Sequence, residues 1–355
     1  MFTIAIRHCA RHRAARAAFA AVSACAVLIA LILSAAPSLA QDIRFFRIGT
    51  GSISGVYFPV GGTLASAISS PPGARSCDSG GSCGVPGLIA VAQATLGSIA
   101  NVKAIAAGGL ESALVQADVG YRAYTGLGEF ASPHQLGGLR VIANLYPEAL
   151  HVVVRRGGPI KSLRDLVGRR VSLDLAGSGT RELALAVLEG FGVDPASLKQ
   201  VNSQIGPAAD RVRRGGIDAF FFVGGFPVSA LSRLARETPI RLLAVGGDQA
   251  AALRVKRPFL SPARIPAETY SKVGATDTLA VGAQWVVSAG VGDETVYGIT
   301  RALWHPATRR LLDASVPAAR QIRVEHALQG LGLPLHPGAE RYYREKGLLK
   351  TEARP

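Results

Sequence analysis

A recurring order of short apolar strand, turn rich in Gly and Ser, and helix is the feature that most constrains the fold of this chain. Its first copy is a strand pattern at residues 45–48, a turn at 49–55 and an apolar helix pattern that ends near Ile68. Pro59 fits the first turn of that helix, where a missing backbone N–H is tolerated. Strands that alternate with helices predict an α/β fold with parallel sheets and right-handed crossovers.

The same order recurs in two series that meet near Gly157-Gly158-Pro159. Strands are predicted at residues 88–92, 112–116, 141–144, 151–154, 170–174, 219–223, 242–245 and 278–288, helices at 99–108, 162–166, 181–190 and 294–304, and a closing segment at 324–331. No sequence period of 20–50 residues is present, so the pattern does not indicate a solenoid or a propeller. The break between the two series predicts a change of domain.

Length and composition agree with two domains. The chain has 355 residues, of which 48% are apolar and 18% charged, so it buries a large core and disorder is excluded. Single cores stop growing near ~250–300 residues, which favours a division into two. After residue 40, no stretch is long and apolar enough for a membrane span of ~20 residues.

The first forty residues have the pattern of a secretory signal peptide. Four arginines precede an apolar stretch at 17–36, and Ser38-Leu39-Ala40 is a small-x-small cleavage site. We therefore predict export to the periplasm with cleavage after Ala40. An uncleaved anchor is the main alternative because the apolar stretch is long, and a lipobox-like string ending at Cys25 is a weaker one. Cleavage removes four arginines and no acid, so the net charge falls from +15 to +11.

Export also decides how the four cysteines are interpreted. Cys9 and Cys25 leave with the signal peptide, and Cys77 and Cys83 remain in an oxidising compartment. One disulfide between Cys77 and Cys83 is the expected outcome. A metal site is the rival interpretation, but two cysteines without a nearby histidine supply at most half of a tetrahedral shell.

Three turns stand directly before predicted helices and are candidates for a ligand site: residues 49–55, Gly97-Ser98 and 177–180. Helix N-termini present unpaired N–H groups and a partial positive charge, and Gly lets a ligand approach the backbone. Ordinary capped connections are the alternative for any one turn. Because the turns are divided between the two series, we predict a ligand held between two domains.

Single side chains near strand ends extend this prediction. Tyr57 is either a ligand contact or a core residue, and Gln116 and Asn144 are either ligand contacts or loop caps. Asp118 is interpreted as a cap for a helix that begins at Val119 rather than as a partner for a ligand amine. The predicted ligand-binding residues are Gly51, Ser52, Ser54, Gly55, Tyr57, Gly97, Ser98, Gln116, Asn144, Ser178, Gly179, Thr180, Phe222 and Gly224.

Enzyme and metal motifs are weak in this sequence. Gly80-Gly81-Ser82-Cys83-Gly84 matches G-x-S-x-G, but no strand precedes it and no helix follows it. The five histidines after residue 40 are scattered, so we interpret each as a surface or cap residue and predict no metal and no cofactor. Basic side chains are densest between Arg155 and Arg170. Export removes the usual nucleic-acid partners, and a solvated face is the simpler interpretation.

Several strings, in order along the chain, resemble the TAXI family, the solute-binding subunits of tripartite ATP-independent periplasmic (TRAP) transporters. The strings are Ile48-Gly49-Thr50-Gly51 with Gly55-Val56-Tyr57-Phe58-Pro59, Gly97-Ser98-Ile99-Ala100-Asn101-Val102, Val115-Gln116-Ala117-Asp118-Val119, Gly177-Ser178-Gly179-Thr180, Leu335-His336-Pro337-Gly338-Ala339 and Arg341-Tyr342-Tyr343. The insert from Cys77 to Gln93 resembles one subgroup.

The resemblance implies a type II periplasmic-binding-protein fold, with two α/β lobes joined by a hinge around a ligand cleft. The expected lobes are residues 41–150 with 251–355, and residues 151–250. It also implies a small organic acid or amino acid ligand, such as glutamate or 2-oxoglutarate, and delivery to a TRAP permease. One departure is the first turn, where Ser52-Ile53-Ser54 replaces a glycine-rich string found in many relatives.

The resulting hypothesis is a monomeric periplasmic solute-binding protein with no enzyme activity and no nucleic-acid partner. A secreted hydrolase that uses Ser82 or Ser98, and a surface or adhesion protein with an acidic partner, are the two alternatives. Turnover of esters or amides is expected of the hydrolase, and retention on heparin of the adhesion protein.

Overall fold

The fold comes from a computed structural model that describes residues 43–349. The predicted signal peptide and its cleavage point lie outside this range. The strands are β1 (Arg44–Gly49), β2 (Ser69–Ser70), β3 (Val85–Pro86), β4 (Leu88–Gln93), β5 (Ser112–Gln116), β6 (Leu139–Arg155), β7 (Arg170–Ser172), β8 (Lys199–Gln200), β9 (Ala219–Gly224), β10 (Ile240–Leu242), β11 (Ser261–Ile265) and β12 (Thr276–Ser288).

The helices follow most of these strands, as the sequence predicts. They are α1 (Tyr57–Ile68), α2 (Ser98–Ala106), α3 (Ala117–Thr125), α4 (Gly179–Gly190), α5 (Ile205–Arg214), α6 (Ser229–Glu237), α7 (Gly247–Lys256), α8 (Asp293–Leu303), α9 (Pro306–Ala314), α10 (Pro317–Arg320) and α11 (Pro337–Glu345). Short 3₁₀ turns lie at Cys77–Ser79, Gly128–Phe130, Leu163–Leu166, Pro195–Ser197 and Val324–His326. None of the described helices is long and apolar enough to cross a membrane.

Ten of the strands form one mixed sheet around two long strands, β6 and β12. These two are antiparallel to each other; β5 extends the sheet from β12, and β9 extends it from β6. Parallel pairs then continue outward, with β1 and β4 beyond β5, and β7 and β8 beyond β9. We call the part built on β1, β4 and β5 the first lobe, and the part built on β7, β8 and β9 the second lobe.

The expected two-lobe α/β architecture is therefore confirmed, with one correction to the sheet. Its outer strands are parallel, whereas β6, β10, β11 and β12 make antiparallel pairs that the alternation of strands and helices does not reveal. The two long strands β6 and β12 run from one lobe into the other and connect the lobes.

A second correction concerns β6, which is one strand of 17 residues instead of two short strands around a turn at Pro147. Pro147 lies opposite Gly282 on β12, and a register shift between Ala283 and Gln284 marks a β-bulge nearby. Proline is tolerated at such irregular positions because the ladder hydrogen bond that it cannot make is already interrupted.

The core lies on both faces of the sheet. Trp285 on β12 is fully buried, and its indole N–H donates to the Ser112 hydroxyl at 3.1 Å. Phe220 and Phe221 on β9 point to opposite faces and belong to different apolar clusters. Burial on both faces explains why these strands are continuous apolar runs in the sequence.

The predicted disulfide between Cys77 and Cys83 is confirmed. A histidine is nonetheless close, because the fold brings His305 Nε2 to 3.8 Å from Cys77 Sγ. The other ring nitrogen, His305 Nδ1, accepts a hydrogen bond from the Ala307 backbone N–H and caps α9. In the neutral ring Nε2 then carries the proton, so it faces the sulfur as a donor rather than as a metal ligand.

Two of the remaining histidines test the expectation of surface or cap roles. His336 caps α11 by accepting from the Gly338 N–H. His151 does neither, because it is fully buried between the Ala149 carbonyl and the Tyr270 hydroxyl, both at 2.9 Å. Burial lowers the pKa of His151 to about 4, so the ring is neutral in the folded protein at pH 7.

The basic stretch between Arg155 and Arg170 is an exposed face, with acids and carbonyl groups among its partners. Arg170 forms an ion pair with Asp218 at 2.7 Å, and Arg155 donates to the Val212 carbonyl. These contacts agree with the solvated-face interpretation.

Candidate functional site

The three Gly and Ser turns that precede α1, α2 and α4 meet at one small cavity between the lobes. Its lining consists of Gly51, Ser52, Gly55, Val56, Tyr57, Leu96, Gly97, Ser98, Gln116, Glu148, Asp174, Ser178, Gly179, Thr180, Gln204, Ile205, Phe222 and Val223. Residues from the first lobe, from the second lobe and from β6 are all present, so a ligand in this cavity contacts every part that moves when the lobes separate. We call it the cleft cavity.

On the first-lobe side, Asn101 holds the turn after β1 in place. Its amide group donates to the Thr50 carbonyl at 2.7 Å and to the Leu114 carbonyl at 2.8 Å. Asn101 lies in α2 and is fully buried. One side chain therefore fixes the relative position of the first turn, α2 and β5, and with it the positions of Gly51, Ser98 and Gln116.

On the second-lobe side, α4 begins directly at the cavity wall. The Ser178 hydroxyl accepts from the Arg181 N–H and caps the helix, and Thr180 Oγ1 accepts from the Val223 N–H on β9. Gly179 lies so close to the first lobe that an added Cβ would be 2.4 Å from Gln116 Oε1 and 2.9 Å from Ser98 Oγ. An alanine at this position therefore requires the Gln116 or Ser98 side chain to shift.

Glu148 brings a carboxyl group into the cavity from β6. It is 1% exposed, and its Oε2 accepts a hydrogen bond from the Tyr57 hydroxyl at 2.6 Å. Burial raises the pKa of Glu148 to about 8, although the Tyr57 hydrogen bond opposes the rise. The carboxyl is therefore largely protonated at pH 7 and becomes a carboxylate readily when a cation lies beside it.

Asp174 is a second acid in the lining. Its Oδ1 accepts from the Leu175 N–H at 2.8 Å, and its backbone has a left-handed φ of 76°, which Asp tolerates better than most residues. Burial raises the pKa of Asp174 to about 6, so this side chain is mostly ionised at pH 7. The cavity thus contains an aspartate in addition to the Glu148 carboxyl.

The polar groups of the cavity favour a ligand that carries both signs of charge. None of the described lining residues is a lysine, an arginine or a histidine. At the N-termini of α2 and α4, the N–H groups of Ile99, Ala100 and Arg181 are already bonded within the protein. Anion-binding capacity therefore comes from the remaining first-turn N–H groups and the helix dipoles, while the acceptors are Glu148, Asp174 and Gln116. Gln116 Oε1 is buried and has no hydrogen-bond partner among the described residues, so it is free to accept from a ligand.

Direct contacts between the lobes keep the cavity small. The Gly177 carbonyl accepts from the N–H groups of Ile99 and Ala100 at 3.1 and 3.0 Å, and Arg122 on α3 pairs with Glu182 on α4 at 2.9 Å. The enclosed volume is about 50 Å³, which is space for a few water molecules. A larger ligand therefore needs the lobes to move apart before it enters.

Eleven of the predicted ligand-binding residues line the cleft cavity, and three do not. The eleven are Gly51, Ser52, Gly55, Tyr57, Gly97, Ser98, Gln116, Ser178, Gly179, Thr180 and Phe222. Ser54 instead packs against Gly206, and Gly224 against Phe222 and Val56. Asn144 lines a different cavity and donates to the His326 carbonyl, which agrees with the loop-cap alternative; its role in ligand binding stays a prediction.

The interpretation of Asp118 as a helix cap is also wrong. The helix α3 begins at Ala117 with Gln116 in the cap position, and no side chain caps it. Asp118 is 4% exposed, and neither of its carboxylate oxygens has a hydrogen-bond partner among the residues that the structure describes.

Seven lining residues are absent from the sequence prediction, namely Val56, Leu96, Glu148, Asp174, Gln204, Ile205 and Val223. Val56 and Leu96 adjoin predicted turns, so proximity in sequence was a usable signal for them. Glu148 follows Pro147 and has the appearance of a turn residue. Its place in the cavity depends on β6 being one continuous strand, which the local sequence does not indicate.

Two lobes on a shared mixed sheet, with a polar cavity between them, define the fold class of the periplasmic binding proteins. The chain belongs to the NMT1-like family, which it matches over residues 48–347. The narrower TAXI assignment stays a prediction.

Solved structures with a similar fold include several binding proteins. A TctC solute-binding protein from Polaromonas is 18% identical, with 88% of this chain and 100% of that chain covered and a TM-score of 0.46. The alkanesulfonate-binding protein SsuA from Xanthomonas axonopodis pv. citri, bound to MOPS, is 15% identical over 86% and 85% of the two chains, with a TM-score of 0.43. The binding protein component of an ABC phosphonate transporter from Pseudomonas aeruginosa is 12% identical over 79% and 80%, with a TM-score of 0.46.

Proposed function

We propose that this chain is an exported solute-binding protein that captures a small amino acid in the cleft cavity and delivers it to a membrane permease. The observation that carries the proposal is the meeting of three helix N-terminal turns, from both lobes, around one small cavity. Such a cavity opens and closes with the lobes, and the closed form is the state that a permease recognises.

The balance of charge in the cavity supports one of the two ligands that the family resemblance implies. Glutamate carries an ammonium group, whereas 2-oxoglutarate has a keto group in its place. The ligand carboxylate accepts from the N-termini of α2 and α4, and the ammonium group donates to Glu148, Asp174 or Gln116. A dicarboxylate without an amine would face Asp174 with no basic side chain to compensate. We therefore favour glutamate or a related amino acid.

The remaining parts of the proposal concern transport. We further propose that the predicted signal peptide directs the mature chain, from residue 41, to the periplasm, that the chain is a monomer, and that the permease is of the TRAP type. The proposed lobe division is residues 41–150 with 251–355, and residues 151–250. The resemblance to the TAXI family supports the choice of permease, and the fold supports capture by lobe closure.

Calorimetry on the exported protein tests the ligand. The full chain is expressed, the exported product is purified, and ligand carried over from the cell is removed by partial unfolding and dialysis. Glutamate is expected to bind at least tenfold more tightly than 2-oxoglutarate. Binding of glutamate is also expected to release a proton near pH 7, because an ammonium group beside Glu148 favours its carboxylate form. Equal affinity for the two acids would contradict the role of the amine.

A pair of helical glycines tests the site. Gly179→Ala places a methyl group 2.4 Å from Gln116 Oε1 and is expected to weaken ligand binding at least tenfold. Gly62→Ala in α1 is the matched control, because nothing lies within 4 Å of the added methyl group. Equal binding by both variants would place the ligand elsewhere.

Two further assays address the alternative functions. Hydrolysis of an ester panel, lost on Ser98→Ala, would support the hydrolase alternative. Retention on heparin, with no small ligand found, would support the adhesion alternative.

A further inference from the structure

A second cavity lies on another side of the boundary between the lobes, among α3, α4 and α7. It has a volume of about 530 Å³, ten times that of the cleft cavity and within the range of small-molecule sites. Its charged lining residues are Asp118, Arg122, Glu189, Lys256 and Arg257. We call it the α3–α7 cavity.

Asp118 is the unusual group in this cavity. Its side chain is at the buried end, and the residue is only 4% exposed. Burial raises the pKa of Asp118, and the nearby charges of Arg122 and Arg257 and the N–H groups of Val119 and Asp118 oppose the rise. Neither carboxylate oxygen, however, meets a partner within hydrogen-bonding geometry in the described part of the chain. A buried carboxyl group without a partner is costly and is normally satisfied by a bound molecule.

Two of the three cations in the described lining of this cavity form no ion pair with a protein acid. Arg122 is already paired with Glu182 at 2.9 Å. Lys256 and Arg257, by contrast, form no ion pair within 4.0 Å among residues 43–349. Lys256 is exposed and Arg257 half-buried, so the positive groups lie nearer to the cavity mouth than Asp118 does. Asp118 and these cations therefore share one cavity without touching each other.

Part of the cavity wall is apolar. Leu127, Ala186, Leu253 and Phe259 contribute to it, and the ring of Tyr121 packs on Phe259 with ring centres 4.8 Å apart. An apolar surface of this kind suits an aliphatic chain. The cavity thus combines a buried acid and apolar walls with more exposed charged groups, which are Lys256, Arg257 and Glu189.

We propose that the α3–α7 cavity is a second ligand site, for a molecule with a primary ammonium group at one end, an anionic group at the other and an aliphatic spacer between them. The ammonium group donates to Asp118, and the anionic group pairs with Arg257 and Lys256. Both lobes contribute to the walls, through α3 on one side and α4 and α7 on the other. An occupant therefore holds the lobes together independently of the ligand in the cleft cavity.

Calorimetric titration with chemically matched probes tests the second site. The probes are 4-aminobutyrate and 6-aminohexanoate, with butyrate, hexanoate, butylamine and hexylamine as partners that each lack one charged end. The exported full chain is expected to bind at least one of the two amino acids at least tenfold more tightly than either of its partners. Asp118→Asn and Arg257→Gln are each expected to reduce that affinity at least tenfold.

Two controls separate this site from the cleft cavity and from effects on folding. Glutamate at a saturating concentration, which occupies the cleft cavity under the proposed function, is expected not to displace the probe. Circular dichroism and the unfolding midpoint verify that Asp118→Asn is folded. Absence of binding by both amino acids, or binding that Asp118→Asn leaves unchanged, would overturn the proposal and leave water as the partner of Asp118. Displacement of the probe by glutamate would assign the probe to the cleft cavity instead.

Discussion

At the scale of single residues, Glu148 shows how strongly the fold changes the chemistry of a side chain. Its carboxyl is buried beside the Tyr57 hydroxyl, and its pKa is raised to about 8 from an ordinary value of 4.5. Asp174 and Asp118 have raised pKa values for the same reason, which is burial. Of the three, Glu148 is largely protonated at pH 7 and is poised to ionise when a cationic ligand arrives.

The shifted pKa of Glu148 predicts a specific pH dependence of stability. Between pH 4.5 and 8 the folded state binds a proton that the unfolded state releases, so this residue makes the protein less stable as the pH rises. Glu148→Gln keeps an acceptor for Tyr57 and removes the titration. The variant is expected to gain about 4 kcal/mol relative to the unmodified protein between pH 4.5 and pH 9.

Urea unfolding of both proteins across that pH range measures the difference. Effects of titrating groups that do not interact with Glu148, such as His151, are common to the two proteins and cancel. Glu325→Gln, at an exposed position, is the control and is expected to show no such trend. A stability difference that does not change with pH would show that Glu148 titrates normally.

At the scale of elements, the cavity depends on a few side chains that join helices to strand ends. Asn101 on α2 donates to the carbonyl groups of Thr50 and Leu114. Thr180 on α4 plays a similar part in the second lobe through the Val223 N–H. These contacts orient the N-termini of α2 and α4 toward the ligand, so they position the site although Asn101 does not line it.

Asn101→Asp tests this role. The aspartate cannot donate the two hydrogen bonds and places a charge in a fully buried position, so we expect a loss of roughly 3 kcal/mol in unfolding free energy. Ligand affinity is expected to fall as well, because the first turn loses its support. Asn202→Asp, at an exposed position, is the matched control. If thermal and urea unfolding give the same stability for both variants, Asn101 is not the connection inferred here.

At the scale of the whole molecule, function depends on how far the lobes favour the closed arrangement. The Gly177 carbonyl and the Arg122–Glu182 ion pair connect the lobes directly. Both side chains of that pair are largely buried, with 17% and 23% exposed, so the pair is screened less than a surface pair.

Arg122→Gln is expected to favour the open arrangement. A loss of about 1 kcal/mol from the closed state corresponds to roughly fivefold weaker ligand binding, mainly through faster dissociation. Arg170→Gln is the control, because its ion pair with Asp218 lies within the second lobe. Stopped-flow dissociation rates and small-angle X-ray scattering of both variants, with and without ligand, measure the effect. Identical rates for both variants would mean that the ion pair does not contribute to closure.

The sequence by itself determined those features that depend on neighbours a few residues away. The turns before α1, α2 and α4 follow from residues that are neighbours in the sequence, and the Cys77–Cys83 disulfide follows from the export signal and the two cysteines that remain after it; the turns and the disulfide are present in the structure. Eleven of the cavity residues were predictable because those turns lie at strand ends, where the sheet brings them together.

Only the tertiary structure decided which face of β6 each side chain occupies. Tyr146 pairs with Ala283 and Asn144 with Gln284, so a bulge at Leu145 interrupts the alternation between them. Glu148 therefore reaches the cleft cavity while Asn144 lines another. That face depends on the register between two strands more than a hundred residues apart, and on where their irregularities fall. No pattern within either strand specifies it, because strand pairing is a long-range interaction.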